Sequence, residues 1–452
     1  MALAAGLAAG LLADAVLGDP RRGHPVAGFG QVAGLLERLL WRPSRTAGAV
    51  YAAVLIVPPA AAAGLADRWL RRRRGRRTAP RVGLVAATGW AVLGAASLRR
   101  EAVALRQALP VTHERPTHER ITREPAAAHP PAGQPVTREG GTREPAAGLP
   151  VAGQPAAGHP AAGQPDGGLA AARARLPHLC GREPTLLDET GLVRATIESV
   201  AENTSDAAVA PLFWGALAGP AGLVGYRAVN TLDAMVGHRS ERHRDFGWAA
   251  ARLDDLANLG PARLTAGLAT VLAPAVGGRP GAAWRAWRRD AAAHPSPNAG
   301  PCEATFAGAL GVRLGGPTTY SYGQSNRPWL GTGRDPSAAD IDRAVALSRL
   351  VTWSAAAICV GFAYAVGRLV PGPDRPDWSA GAICVGFADA VGRLLPVPDR
   401  RDTKSPPGRR PERPTGWTRP TGWSRLTGPT GPTGWSRPTG PTRPTGSTRG
   451  DQ

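Results

Sequence analysis

Lysine is almost missing from this chain: of its 54 basic residues Lys404 alone is a lysine, and the rest are arginine. That skew mirrors GC-rich coding, so the formal net charge of +20 is not in itself a nucleic-acid signature. Aromatic residues are scarce at 5%, and none interleave with arginines in a folded context, which argues against an RNA-binding patch. The four cysteines, Cys180, Cys302, Cys359 and Cys384, form no CxxC pair and no Cys/His metal spacing. A disulfide framework is therefore excluded, and a reducing compartment or membrane burial fits. The chain also lacks a GxxxxGK[ST] loop, a GxGxxG turn after a strand, an HExxH helix and a GxSxG elbow. Residues 1–17 carry Asp14 and no basic n-region, so they read as a retained helix rather than a cleaved signal.

What the chain has in quantity is apolar length. Alanine and glycine dominate, and candidate membrane helices fall at 1–17, 47–66, 82–98, 207–229, 259–278 and 351–370. A crossing takes about 20 mainly apolar residues, which makes 47–66, 207–229 and 351–370 the strongest of these. The expected fold is all-α, a polytopic integral membrane protein with about five to seven apolar helices and polar loops between them. Eight arginines between Arg68 and Arg81 mark a cytoplasmic loop by the positive-inside rule. Simple alternation then puts loops 18–46, 99–206 and 279–350 on the opposite side.

Three stretches read as additions to a core. Residues 110–168 repeat THER, TREPAA and AAGQP units too rich in proline and glycine to pack, and are expected to be a disordered insertion. Ala357–Arg368 (AICVGFAYAVGR) recurs as Ala382–Arg393 with Asp389 in place of Tyr364, a duplicated terminal helix within 371–402. The tail 403–452 repeats PTG and TGW units and is expected to be disordered. The organisation is thus 1–109, membrane helices and a first polar loop; 110–168, insertion; 169–370, catalytic membrane core; then 371–402 and 403–452.

Four polar clusters interrupt the Ala/Gly background. Gly18–Pro25 (GDPRRGHP) follows the first helix and gathers Asp19, Arg21, Arg22 and His24; as an isolated feature it is equally an interfacial helix end. Arg194 precedes the run Ile197–Asp206 (IESVAENTSD), where Glu198, Glu202 and Asp206 fall at i, i+4 and i+8 on one helical face. Like charges so placed repel unless a cation or an arginine lies among them. Thr204, Ser205 or Asp206 could cap the helix that follows, but capping needs one such residue and does not explain Glu198, Glu202 and Asn203. Tyr226–Asp233 (YRAVNTLD) and Gly237–Arg242 (GHRSER) close the apolar segment, with Asn230 and Asp233 a turn apart and Arg239 beyond. Finally Arg288-Arg289-Asp290 leads into His294–Gly300 (HPSPNAG), where two prolines make a rigid turn around Ser296 and Asn298.

Taken together, GDPRRGHPV, IESVAENTSDAAVAPLFW, YRAVNTLDAMVGHRSERHRDFGWAAARLDD, RDAAAHPSPNAG and the later Arg327-Pro328 with GTGR resemble the CobD/CbiB family, over 1–109 and 169–370. The resemblance implies a cell-membrane, multi-pass enzyme of cobalamin biosynthesis. Its reaction joins adenosylcobyric acid to (R)-1-aminopropan-2-ol, or its O-phosphate, as an amide, with ATP and Mg2+ as cofactors. A carboxylate must be activated before an amine can displace its oxygen, and phosphorylation supplies the leaving group. On that reading Glu198, Glu202, Asp206 and Asp233 are the candidate metal ligands. Arg21, Arg22, Arg194, Arg239 and Arg289 are candidates for the phosphates. Glu198, Glu202, Asn203, Asp206, His294, Ser296 and Asn298 are the catalytic candidates, the last three to orient the amine or the activated acid. Expected partners are the corrinoid and aminopropanol substrates, membrane lipid and other corrin-pathway membrane enzymes. ATP places the active site on the cytoplasmic side, against the arginine count of the 68–81 loop. The alternatives from other classes are a non-catalytic AmpE-like membrane sensor or regulator, and a small-molecule permease. Retention of both long motifs weighs against the first, and the lack of paired broken helices against the second.

Overall fold

The computed structural model describes residues 1–19, 23–72, 78–110, 167–238, 240–320 and 323–369. Most of the insertion, the duplicated helix and the PTG tail lie outside them, as do Arg21, Arg22 and Arg239. Thirteen α-helices are described, with a single two-stranded hairpin, so the all-α expectation holds. Five stretches are long and apolar enough to cross a bilayer: Arg45–Arg72, Thr78–Ala108, Glu189–Val236, Leu259–Val276 and Ala338–Leu369, with Ala2–Leu17 shorter.

Three apolar clusters organise the chain. The first joins α1 (Ala2–Leu17), α4 (Thr78–Val92), part of α8 (Ala210–Val236) and the C-terminal half of α13 (Ala338–Leu369). Small residues allow the α1–α4 contact: a Cβ at Gly10 would press on the backbone of Ala86 and Gly89. The second joins α2 (Pro25–Leu40), α3 (Arg45–Arg72), the end of α8 and α9 (Trp248–Ala257), with Tyr51 stacked on Phe246. The third is a helical cap built from α5 (Ala95–Ala108), α6 (Gly167–Arg175), α7 (Glu189–Thr204), α10 (Leu259–Leu272), α11 (Pro280–Asp290), α12 (Ala299–Leu310) and the start of α13. Thus α13 serves two layers: Ile341 to Ala355 pack in the cap, and Ala356, Cys359 and Ala363 among α1 and α4.

The stretch 189–236 departs from expectation twice. No helix starts at 204–206. Instead α7 runs through a π-turn, Ser205–Val209, straight into α8, whose N-terminus has no side-chain cap. Thr204 Oγ1 donates to Val200 O of its own helix, or to Ser348 Oγ of α13 at 2.7 Å. The break falls further on, at Gly219 (φ 61°, ψ −146°) before Pro220. There the chain reverses. Tyr226 Oη donates to the carbonyl of Asp206 at 3.2 Å, whereas 20 residues of straight helix would separate them by about 30 Å. Segment 207–229 is therefore a helical hairpin that turns at Gly219, and not one straight crossing.

This reversal corrects the expected alternation. Arg242 of the 237–247 loop donates to Glu37 of α2 at 3.0 Å, so that loop shares a side with the 18–46 segment. The start of α10 is tied to the His294–Gly300 turn through Arg263 and Asn298. At the opposite end, Asp67 pairs with Arg81 at 2.7 Å close to Gly219. The arginine-rich 68–81 loop and the polar clusters therefore lie at opposite ends of the bundle.

Candidate functional site

Glu198 is the hub of the cap-side cluster. It projects from α7 and is 3% exposed, and its Oε1 accepts the Gly315 amide at 2.7 Å. Gly315 begins a bulge in β1 (Leu314–Tyr320), which pairs antiparallel with β2 (Gly323–Leu330). With φ of 78° and 77°, Gly315 and Gly316 take a conformation that a side chain would strain. Oε2 of Glu198 accepts from Arg182 Nη2 and, at 3.2 Å, from Arg327 Nη1. Arg327, on β2, also contacts His294 Nε2 and lies 3.4 Å from Glu303 Oε1. Two arginines thus answer the like-charge repulsion that the helical spacing raised.

His294 and Glu303 complete this cluster. Burial, then the neighbouring Arg327 charge, pushes the His294 pKa down to about 3, so its imidazole is neutral. Its Nδ1 meets both the amide (3.0 Å) and the carbonyl (3.2 Å) of Ser296, so either tautomer is satisfied on that edge. Glu303, fully buried on α12, has its pKa pushed up to about 8, chiefly by burial and against the pull of Arg327. Glu198, Ser199, Glu202, Arg182, Glu303 and Arg327 line a small cleft of about 10 Å³, with Leu179, Cys180 and Ala195. Glu202, half-buried, faces this space beside Glu198.

Asp206 belongs to a second cluster. The π-turn carries it toward Tyr226 and Arg227, whose guanidinium is buried within electrostatic reach of Asp206, Asp19 and Asp14. Tyr226 Oη also donates to Asn258 Oδ1 at 2.8 Å, and Asn258 and Asn230 both donate to Asp254 Oδ1. His24 Nε2 lies 3.6 Å from Asp19 while its Nδ1 accepts the Val26 amide and caps α2. Beside this cluster His243 bridges Glu37 Oε1 (3.0 Å) and His238 Nε2 (3.1 Å).

The remaining predicted residues have structural work in view. Asn203 Nδ2 donates to Ser199 within α7, and Ser199 Oγ in turn donates to Leu179 O. Ser296 Oγ accepts the amides of Asn298 and Ala299 and so caps α12. Asn298 joins three elements, accepting from Arg263 at 2.7 Å and donating to Asp255 O at 2.8 Å. Arg194 lies 4.8 Å over the Trp329 ring and 3.6 Å from Asp335. Arg289 is bidentate on Asp290, whose pKa stays low despite burial because Arg289 and the Gly331 amide bond it. Asp233 lies against Gly237 at the end of α8. The four acids singled out for a metal therefore occupy three places, and among the described residues no three His, Cys, Asp or Glu side chains converge on a point. A magnesium ion carried on a nucleotide needs only one or two protein carboxylates. Glu198 already accepts from the Gly315 amide, Arg182 and Arg327, which leaves Glu202 the candidate among the acids of the run that line the cleft. Arg182 and Glu303 were not singled out from the sequence. Arg182 carries no sequence signal; Glu303 does, as a lone charge within the otherwise apolar 299–310.

Fold and site together define a polytopic helical membrane protein whose polar chemistry is gathered at one end under a helical cap. The family model described as CobD/Cbib protein matches residues 7–124 and 156–348, and the chain belongs to that family. It is 45% identical over 361 residues to Cobalamin biosynthesis protein CobD of Mycobacterium tuberculosis, covering 80% of this chain and 96% of the relative. The protein of the same name in Chromobacterium violaceum is 36% identical over 371 residues, covering 79% and 96%. That of Rhodobacter capsulatus is 53% identical over 184 residues, 40% of this chain and 57% of the relative. No solved structure matches.

Proposed function

We propose that this chain is a biosynthetic enzyme of the cobalamin pathway that forms an amide between adenosylcobyric acid and (R)-1-aminopropan-2-ol or its O-phosphate, using ATP and Mg2+. The observation that carries the reading is the cleft where Glu198 and Glu202 of one family motif meet the His294–Glu303 segment of another and Arg327 of a third. The names of the curated relatives supply the pathway. Chemically, Glu202 would take the nucleotide-borne magnesium, with Glu198 beside it held by Arg182 and Arg327. Arg182 and Arg327 supply positive charge where an acyl phosphate forms and phosphate departs. Neutral His294, fixed by Ser296, orients Arg327. Asp206, with Arg227 and Tyr226, forms the second polar cluster and stays a candidate for contacts made with substrate bound. Asp233, Arg194, Arg289, Arg21, Arg22 and Arg239 stay candidates for metal or phosphate contacts made with substrate bound. The active site faces the cytoplasm, where ATP is, and membrane lipid and neighbouring corrin-pathway enzymes are the proposed surroundings.

The test is complementation of a strain lacking the cobyric-acid amidation step, with wild type and Glu202→Gln. Restored conversion by wild type and about a hundredfold or greater loss in Glu202→Gln is expected. Failure of wild type to restore conversion sinks the ligase reading. Full activity in Glu202→Gln removes the magnesium assignment alone.

A further inference from the structure

Glu303 has none of the roles given so far. Its side chain is fully buried on α12. Oε1 lies 3.4 Å from Arg327 Nη2 and 3.6 Å from His294 Nε2, and Oε2 is buried without a hydrogen-bond partner among the described residues. An unanswered buried oxygen is costly, and a carboxyl so placed in the lining of a cleft is one that a ligand's donor would complete. Glu198 and Glu202 line the same cleft, with Arg182 and Arg327.

We propose that the substrate's primary ammonium binds in this cleft and that Glu303 takes its proton, releasing the neutral amine for attack. The assignment rests on the ligase reading above and specifies the amine subsite of the same site. A carboxyl of ordinary acidity is a poor base toward an alkylammonium ion; one raised by burial is better matched. The charged groups facing Glu303 are Arg327 from β2 and Arg182 from the segment before α7, which favour its ionised form, and Glu198 and Glu202 from α7, which oppose it. His294 beside it is neutral. Burial outweighs the arginines and raises the carboxyl to about 8, so the ionised fraction that acts as base grows as pH approaches that value.

The step balances. The ammonium gives one proton to the Glu303 carboxylate and becomes an amine. The nitrogen lone pair forms the C–N bond to the acyl-phosphate carbon, and the C–O bond to phosphate breaks. The departing phosphate takes the second nitrogen proton, and Glu303 returns its proton to solvent.

Hydroxylamine is uncharged near neutral pH, so it attacks an acyl phosphate without needing a base. The experiment uses full-length protein in detergent with ATP, Mg2+ and adenosylcobyric acid, and offers either 1-aminopropan-2-ol or hydroxylamine as acceptor. In Glu303→Gln, amide formation should fall about 100-fold or more while hydroxamate formation changes only a few-fold. The residual amide rate should keep rising with pH where wild type levels off. Equal losses on both acceptors, or an unchanged amide rate, overturn the assignment and leave the ligase reading standing. If wild type yields neither product, the ligase reading itself falls and this assignment with it. Should Glu303→Gln not fold, Glu303→Asp offers the same comparison, with a smaller amide loss and intact hydroxamate formation expected.

Discussion

Glu198 illustrates how a buried charge can be indispensable without being a net source of stability. Between Arg182 and Arg327 it neutralises two buried cations, and its removal leaves them facing each other. Glu198→Ala should therefore cost about 3–5 kcal/mol, measured as denaturant or thermal stability in detergent, whereas Glu202→Gln at the cleft edge should cost under about 1 kcal/mol. The pH dependence has a definite sign. Glu303, raised from 4.5 to about 8, binds more protons folded than unfolded in that window, so its contribution is complete below the lower value and lost as pH rises through the upper. His294, lowered from 6.5 to about 3, does the opposite and withdraws stability as pH falls below 6.5. Melting temperature should decline in both directions from mildly acidic pH, and Glu303→Gln should flatten the alkaline limb only. At this scale the sequence was partly legible. Glu198, Glu202 and His294 stood out as polar residues in an apolar background. Arg182 did not, because its role depends on a loop brought to α7 by tertiary packing, which no local pattern encodes.

At the scale of elements, periodicity located the apolar segments but not their course. The i, i+4, i+8 spacing put Glu198, Glu202 and Asp206 on one face. The π-turn at 205–209 adds a residue to the turn and moves Asp206 round toward Arg227, dividing the three acids between two clusters. Gly219-Pro220 is a turn signal readable in the sequence, yet an apolar run on both sides hides it from a hydropathy window. Gly219→Ala tests it: with φ 61° and ψ −146° only glycine is at ease, so the variant should lose about 1–3 kcal/mol. Its activity should fall with it, since Tyr226 and Asp206 would lose register. The β-hairpin was missed for a different reason. Gly315-Gly316 and the prolines break any alternation, and its stabilising contact is the amide it donates to Glu198.

For the whole molecule, the charge rule and the chemistry give opposite orientations. The polar clusters and the arginine-rich loop lie at opposite ends, so labelling can decide between them. Single cysteines at Trp329 and Arg242 should react with an impermeant reagent from one side of sealed vesicles, and cysteine at Trp69 from the other. Reaction of Arg242→Cys and Trp69→Cys from the same side would refute this placement. The family model skips residues 125–155 and ends at 348, outside the insertion's centre and before the repeated helix. Deleting 125–155 should accordingly leave the rate of amide formation within about twofold and stability unchanged, as loop shortening costs little. The motif order made the family legible. The gathering of motifs at one end was not, because it follows from a reversal that alternation rules do not contain.

That reversal also bears on how the protein is made. A hairpin contributes no net passage through the bilayer, so whichever compartment receives Glu198 also receives Asp233. Lengthening or shortening its apolar arms leaves that parity untouched. A substitution that straightened the chain at Gly219 would do something different in kind: it would send Asp233 and the 237–247 loop to the wrong compartment, away from Glu198.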